Sequence, residues 1–285
     1  MIQILFQGVL LGGLYTLFAL GQSLMFGVMR LTNTAQGDFI VLGAFAVIAG
    51  IGITGGNPWL LTLAVLPVAF GFGYLLQRHV LNRTLGKDPL PSLVVTFGLA
   101  IVIQNLLLQS FSADPRAIET GGFNTLGWQL GADLSVGALP MLILSVALAC
   151  TAALQWLFAH TALGRAFRAV SDDVEIASLM GLDARKVYAL ATAIAFVLIA
   201  LAGALQAMRT TVSPADGPML LLFAFEAVVM GGLGSFWGTL CGAMLLGITQ
   251  QIGFRIAPGW GLWAGHLMFL VVLVLRPQGL FPKTR

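Results

Sequence analysis

Nine apolar runs follow one another along this chain, most of them close to the length a bilayer demands. A helix rises about 1.5 Å per residue, so a hydrocarbon core of about 30 Å takes about 20 residues to cross. On that ruler the runs are 4–28, 39–53, 59–76, 93–109, 138–158, 187–208, 219–230, 236–252 and 261–275. Only helices and closed barrels satisfy every backbone group in lipid, and a barrel strand would alternate polar and apolar residues where these runs are continuous. The expectation is an all-α polytopic membrane protein with about eight or nine crossings and one membrane domain over 1–285. Run 39–53 is short. Gly231, Gly232, Gly234 and Ser235 separate 219–230 from 236–252, so that pair reads as two crossings, one broken span or a re-entrant segment.

The composition agrees: 9% charged and 58% hydrophobic residues, with a mean hydropathy of +0.95, lie far from the roughly 25% charged residues of a soluble domain. The first run has no basic flank and is too long for the apolar region of a signal peptide, so it reads as a retained span. Cys150 and Cys241 fall in or beside apolar runs and read as small hydrophobes rather than a disulfide. The basic residues are scattered at loop ends and form no stripe for nucleic acid. They report topology instead. With the N-terminus outside, Arg30, Arg78, Arg83, Lys87, Arg165, Arg168, Arg185, Lys186, Arg276, Lys283 and Arg285 fall inside, against Arg116, Arg209 and Arg255 outside. That assignment makes the C-terminus and loop 159–187 cytoplasmic and 110–137 the longest external loop. The latter, with Asp114, Pro115, Glu119, Gly121, Gly122 and Asp133, reads either as a cap facing an external partner or as a solvated connection.

The polar stretch 165–186 holds eight of the 25 charged residues of the chain. Ser171, Asp172 and Asp173 place a cap and negative charge at a helix start, Asp172 and Glu175 have capping-box spacing, and Gly181 supplies a stop. A helix of about nine residues is predicted. Ile176, Leu179 and Met180, with Ala177 beside them, form its apolar face. The pattern leaves open whether this face folds back on the protein or docks in a partner's groove.

Three further places concentrate polarity near membrane depth. Asn33, Gln36, Gly37 and Asp38 gather where a helix begins, suited either to a polar ligand or to a capped interfacial loop. The cluster Gly231, Gly232, Gly234 and Ser235 suits close helix packing or a broken helix beside a cavity. Glu226 is a carboxylate inside an apolar run, and Gln104 with Asn105 is a polar pair in another, read as interhelical glue or substrate contact. All of these are candidates for a translocation path. His79, His160 and His266 stand isolated in sequence, so no metal site is expected.

Enzyme signatures are missing: no HExxH, no GxSxG and no clustered Cys/His ligands. Gly86 and Lys87 are followed by Asp88 and lack the upstream glycine of a Walker A loop. The chain is therefore expected not to be an enzyme, and Glu226 alone makes a thin proton relay. Those features favour a transporter subunit powered from outside over an autonomous channel or secondary carrier.

Four stretches carry a resemblance: GRAFRAVSDDVEIASLMGLDARKVYALATAIAFVLIALAGAL from Gly164, GLYTLFALGQSLMFGVMRLTNTAQGDFIVLGAF from Gly13, GGLGSFWGTLCGAMLLG from Gly231 and RPQGLF from Arg276. Together they resemble the permeases of the branched-chain amino acid ABC importer family, the high-affinity leucine, isoleucine and valine systems. Thr34 and Gln36 stand where that family commonly has phenylalanine and histidine, and Glu226 at a position often uncharged. These departures bear on substrate, since similar importers carry urea, short amides, other amino acids or aromatic acids. The resemblance implies a bacterial inner-membrane importer with a second related permease, two cytoplasmic ATPases holding ATP and magnesium, and a periplasmic binding protein. It also implies that 172–181 is the coupling helix to the ATPase.

Overall fold

A computed structural model describes residues 1–85, 90–129 and 135–281. Gly86, Lys87, Asp88, Asp133, Lys283 and Arg285, invoked above, lie outside the described residues. Each apolar run is a helix: α1 Ile2–Met29, α2 Gln36–Thr54, α3 Pro58–His79, α4 Leu90–Phe111, α5 Ala138–His160, α8 Ala184–Arg209, α9 Gly217–Gly231, α10 Phe236–Ile256 and α11 Trp260–Leu275. Between α5 and α8 lie the shorter α6, Ala162–Asp172, and α7, Val174–Leu179. In the connection between α4 and α5 a two-stranded antiparallel sheet pairs β1, Gly127–Gln129, with β2, Ser135–Gly137.

The crossing count is lower than the runs suggest. Among the described residues six helices have the length and apolarity to cross alone. The pair α9 and α10 is bent by 119° at its break, giving seven if it forms one span. With 15 residues α9 covers about 22 Å and with 16 residues α11 about 24 Å, both short of a hydrocarbon core of about 30 Å. Among the described residues length and apolarity thus support six or seven spans, with the broken α9–α10 pair and the shorter α11 accounting for the rest of the eight or nine read from the runs. The run expected to be short became the 19-residue α2, since its helix begins three residues earlier, at Gln36.

Two helices form the axis of the bundle. In α1 and α8, 72% and 78% of the apolar window is buried, against 17% to 22% in α3, α4 and α5. The peripheral helices thus present most of their apolar side chains outward, as lipid or another subunit requires. α10 runs antiparallel to α1: Thr239 Oγ1 lies 2.9 Å from Ser23 Oγ, and Tyr15 OH donates to Gln250 Oε1 at 2.6 Å.

The basic residues sort to two ends. At one end, Arg30 Nη2 donates to Ser171 O and Asn82 Nδ2 to Arg185 O, gathering the C-terminal ends of α1 and α3 around α6, α7 and the start of α8. At the other, the backbones of Arg116 and Val212 pair and Ile118 N donates to Ala207 O, which ties the connection between α4 and α5 to the end of α8. Cys150 and Cys241 are free and half-buried.

Candidate functional site

The polar stretch 165–186 folds as two helices rather than one. α6 runs through Asp172, and its Phe167 and Val170 are buried against the second apolar cluster of the protein, around Leu24, Met25 and Phe236. Ser171 Oγ donates to Gly27 O at 2.7 Å, fixing the end of α6 on α1. Asp173, in extended backbone, then caps α7: its Oδ1 accepts from Glu175 N at 2.8 Å and Ile176 N at 3.0 Å. The predicted capping box between Asp172 and Glu175 is therefore corrected. Asp172 ends α6, Asp173 caps, and the second helix has six residues instead of about nine. Gly181, at φ 84, stops the segment as expected.

The apolar face of α7 divides. Ala177 is buried, whereas Ile176, Leu179 and Met180 are 60%, 86% and 80% exposed. Folding back against the chain is thus the fate of one small residue, and the three large ones stand unpartnered beside the exposed Glu175. This knob lies at the end of the bundle rich in arginine and lysine.

Asn33, Gln36, Gly37 and Asp38 are all buried. Gln36 Nε2 donates to Phe18 O, near the middle of α1, so α2 begins inside the bundle rather than at its surface. Asn33 Oδ1 accepts from Ala35 N at 3.0 Å and supports the turn that precedes it. The same place receives the start of α9. A side chain at Gly37 would run into the carbonyl of Gly217, and one at Gly217 into the Asp38 carboxylate. Two helix N-termini thus meet inside the protein, with Asp38 placed where their partial positive charge favours a carboxylate. Two glutamine oxygens here, Gln22 Oε1 and Gln36 Oε1, are buried without a protein donor among the described residues.

Glu226, 2% exposed, is not alone: its Oε1 and His266 Nδ1 share a hydrogen bond of 2.6 Å between α9 and α11. His266, expected to be isolated, is thereby corrected to a partner of Glu226. The ring of Phe223 stacks on Tyr15 at 4.8 Å and lies 6.5 Å from His266, and Tyr15 in turn holds Gln250. Sequence reading missed Tyr15, Gln250 and His266; the available signal was a polar atom in each of three apolar runs. Among the described residues no group of three His, Cys, Asp or Glu could hold a metal.

Gly231, Gly232, Gly234 and Ser235 form the elbow between α9 and α10. Gly232 adopts φ 106, and Ser235 Oγ accepts from Gly238 N to cap α10. The carbonyls released by the break find donors in the chain's own last described residues. Met230 O and Gly231 O accept from Leu280 N at 2.8 Å and Phe281 N at 3.0 Å, so the RPQGLF segment seals the elbow. Gln104 and Asn105 lie apart from all of these on α4, where Asn105 is exposed and bonds Ile101 O of its own helix.

Residues 4–276 match the family described as Branched-chain amino acid transport system / permease component. The chain belongs to this family. It is 27% identical over 296 residues to the high-affinity branched-chain amino acid transport system permease protein LivH of Escherichia coli strain K12, covering 99% of this chain and 96% of that one. LivM, a second permease of the high-affinity branched-chain amino acid system in the same organism, is 26% identical over 296 residues, covering 95% of this chain and 68% of LivM. A chain of PsaBC from Streptococcus pneumoniae, solved in complex with Fab, superimposes with a TM-score of 0.50 over 96% of this chain and 92% of that one. Its 12% identity shows a shared fold alone. A multi-pass, non-enzymatic permease subunit of the branched-chain amino acid transport family is thus what sequence and fold establish.

Proposed function

We propose that the chain is the membrane-spanning subunit of a binding-protein-dependent importer for branched-chain or other hydrophobic amino acids in a bacterial inner membrane. Its partners in this reading are a second related permease, two cytoplasmic ATPases that bind ATP and magnesium, and a periplasmic binding protein. The observation that carries the reading is α7: a short helix capped by Asp173, with Ile176, Leu179 and Met180 outward, at the end of the bundle where cations gather. An exposed apolar knob on a membrane protein's water-facing end calls for a protein groove, and helix-in-groove docking fits its size. The positive-inside rule puts that end in the cytoplasm, together with the C-terminus.

Movement of α7 has a short mechanical route into the bundle. Ser171 is bonded to Gly27 of α1, and α8 begins at Ala184 directly after α7. α1 and α8 are the buried axis, so force on α7 reaches the junction where α2 and α9 begin. That junction, with Asn33, Gln36, Gly37 and Asp38, is the better candidate for a translocation path than Gln104, which is half-buried, and Asn105, which is exposed. Glu226 and the glycine elbow lie further along α9, as positioning elements of that helix.

Reconstitution tests the reading. Liposomes holding the chain with its permease, ATPase and binding-protein partners should accumulate radiolabelled leucine only with ATP inside the coupled compartment. Leucine flux through the purified chain alone, without any ATPase, would establish the autonomous carrier instead.

A further inference from the structure

At the α7 end, α3 and α8 enclose a cavity of about 230 Å³ lined by Tyr74, Arg78, Asn82, Asp183, Arg185 and Lys186. Its base is fixed by a chain of hydrogen bonds. Thr192 Oγ1 donates to Gln77 Oε1, Gln77 Nε2 to Asn82 Oδ1, and Asn82 Nδ2 to Arg185 O. Gln77 and Thr192 are fully buried, so this relay holds the backbone of Arg185 against α3 beside Arg78.

The charges do not cancel. Asp183 Oδ1 accepts from the backbone of Arg185 and Lys186, and its Oδ2 lies 3.5 Å from Lys186 Nζ. Among the described residues neither Arg78 nor Arg185 has a carboxylate within salt-bridge distance, and Arg78 reaches only Tyr74 OH, at 3.5 Å. Two guanidinium groups and a phenol therefore line one concave, cationic site. Guanidinium forks match tetrahedral oxyanions, phosphate above all.

The surroundings select the source of that phosphate. Leu60, Leu63, Phe70, Tyr74 and Arg78 recur at helical spacing on one stripe of α3, and Leu60, Leu63 and Phe70 are exposed. From Leu60 to Tyr74 the stripe is about 21 Å long, more than one leaflet of acyl chain. Tyrosine and then arginine follow at its end, the order in which a membrane passes from hydrocarbon to headgroup. We propose that this pocket binds a phosphoryl group, supplied by an anionic phospholipid whose acyl chains lie on the α3 stripe.

The test uses the full chain purified in its complex, with phosphatidylglycerol, phosphatidylcholine and inorganic phosphate as probes and native mass spectrometry as readout. The complex should retain phosphatidylglycerol over phosphatidylcholine. Arg78→Gln with Arg185→Gln should lower that retention about fivefold per cation, about 25-fold together, while phosphatidylcholine is unaffected. The exposed positions make misfolding a small risk, and Arg78→Lys with Arg185→Lys, which preserves charge but not the fork, should restore only part of the retention. Unchanged phosphatidylglycerol in the glutamine variant would overturn the proposal. Displacement of the lipid by millimolar inorganic phosphate would reassign the site to a free anion. Loss of ATPase subunits with lipid retained would reassign it to a protein contact.

Discussion

His266 Nδ1 lies 2.6 Å from Glu226 Oε1, joining α11 to α9 across 40 residues of sequence. The carboxyl is 2% exposed and its second oxygen, Oε2, has no protein partner among the described residues. Removing the imidazole strands a buried carboxyl group, which costs more than removing both members of the pair. His266→Leu should destabilise the chain by about 2–4 kcal/mol, whereas His266→Leu with Glu226→Leu should recover most of that loss. Thermal unfolding of the detergent-solubilised protein, followed by size-exclusion chromatography, completes the double-mutant cycle. With Glu226→Leu as the other single variant, a double-variant loss equal to the sum of the two single losses would mean the two residues act independently.

Gly37 and Gly217 set how closely the starts of α2 and α9 approach. A single added methyl at either has only backbone or the Asp38 carboxylate to meet, and backbone cannot swing aside. Gly37→Ala should therefore cost about 1–3 kcal/mol by overpacking. The control is Gly71→Ala on α3, where a Cβ has open space, and which should be neutral or slightly stabilising through helix propensity. If the junction is the translocation path, Gly37→Ala also slows uptake in complexes that assemble normally. Normal uptake with normal assembly would remove the junction from the path.

The helices were legible because each apolar run has one local cause, and the run 138–158 became α5, Ala138–His160, with its ends shifted by at most two residues. What escaped was set by contacts between distant residues. Asp172 and Asp173 are equally good caps by type; the Ser171 hydroxyl on Gly27 carries α6 one residue further and leaves the cap to Asp173. The depth at which α2 starts depends on Gln36 reaching Phe18, and the bend of α9 on α10 depends on backbone angles at Gly232. Polarity within a run pointed to candidates without giving their direction: Gln36 faces inward, and Asn105 faces out.

Capping at α7 discriminates between neighbouring aspartates. Asp173→Ala removes an acceptor for two amide groups and should cost about 1 kcal/mol of local stability, while Asp172→Ala, which leaves that cap intact, should cost less than half as much. Hydrogen exchange of the amides of Glu175 and Ile176 measures this directly. They should exchange about fivefold faster in Asp173→Ala and at the parent rate in Asp172→Ala.

Leu179 and Met180 separate docking from folding. At 86% and 80% exposed they contribute little to the stability of the isolated chain, so Leu179→Asp with Met180→Asp should leave its thermal unfolding within about 0.5 kcal/mol of the parent. An ATPase groove that receives them would instead take up two carboxylates in an apolar setting, at a cost of several kcal/mol. Co-purification of ATPase subunits should fall at least tenfold, and residual complexes should hydrolyse ATP without matching leucine uptake. Undiminished co-purification with tight coupling would show that α7 faces water in the assembled importer and that the ATPase grips another part of the chain.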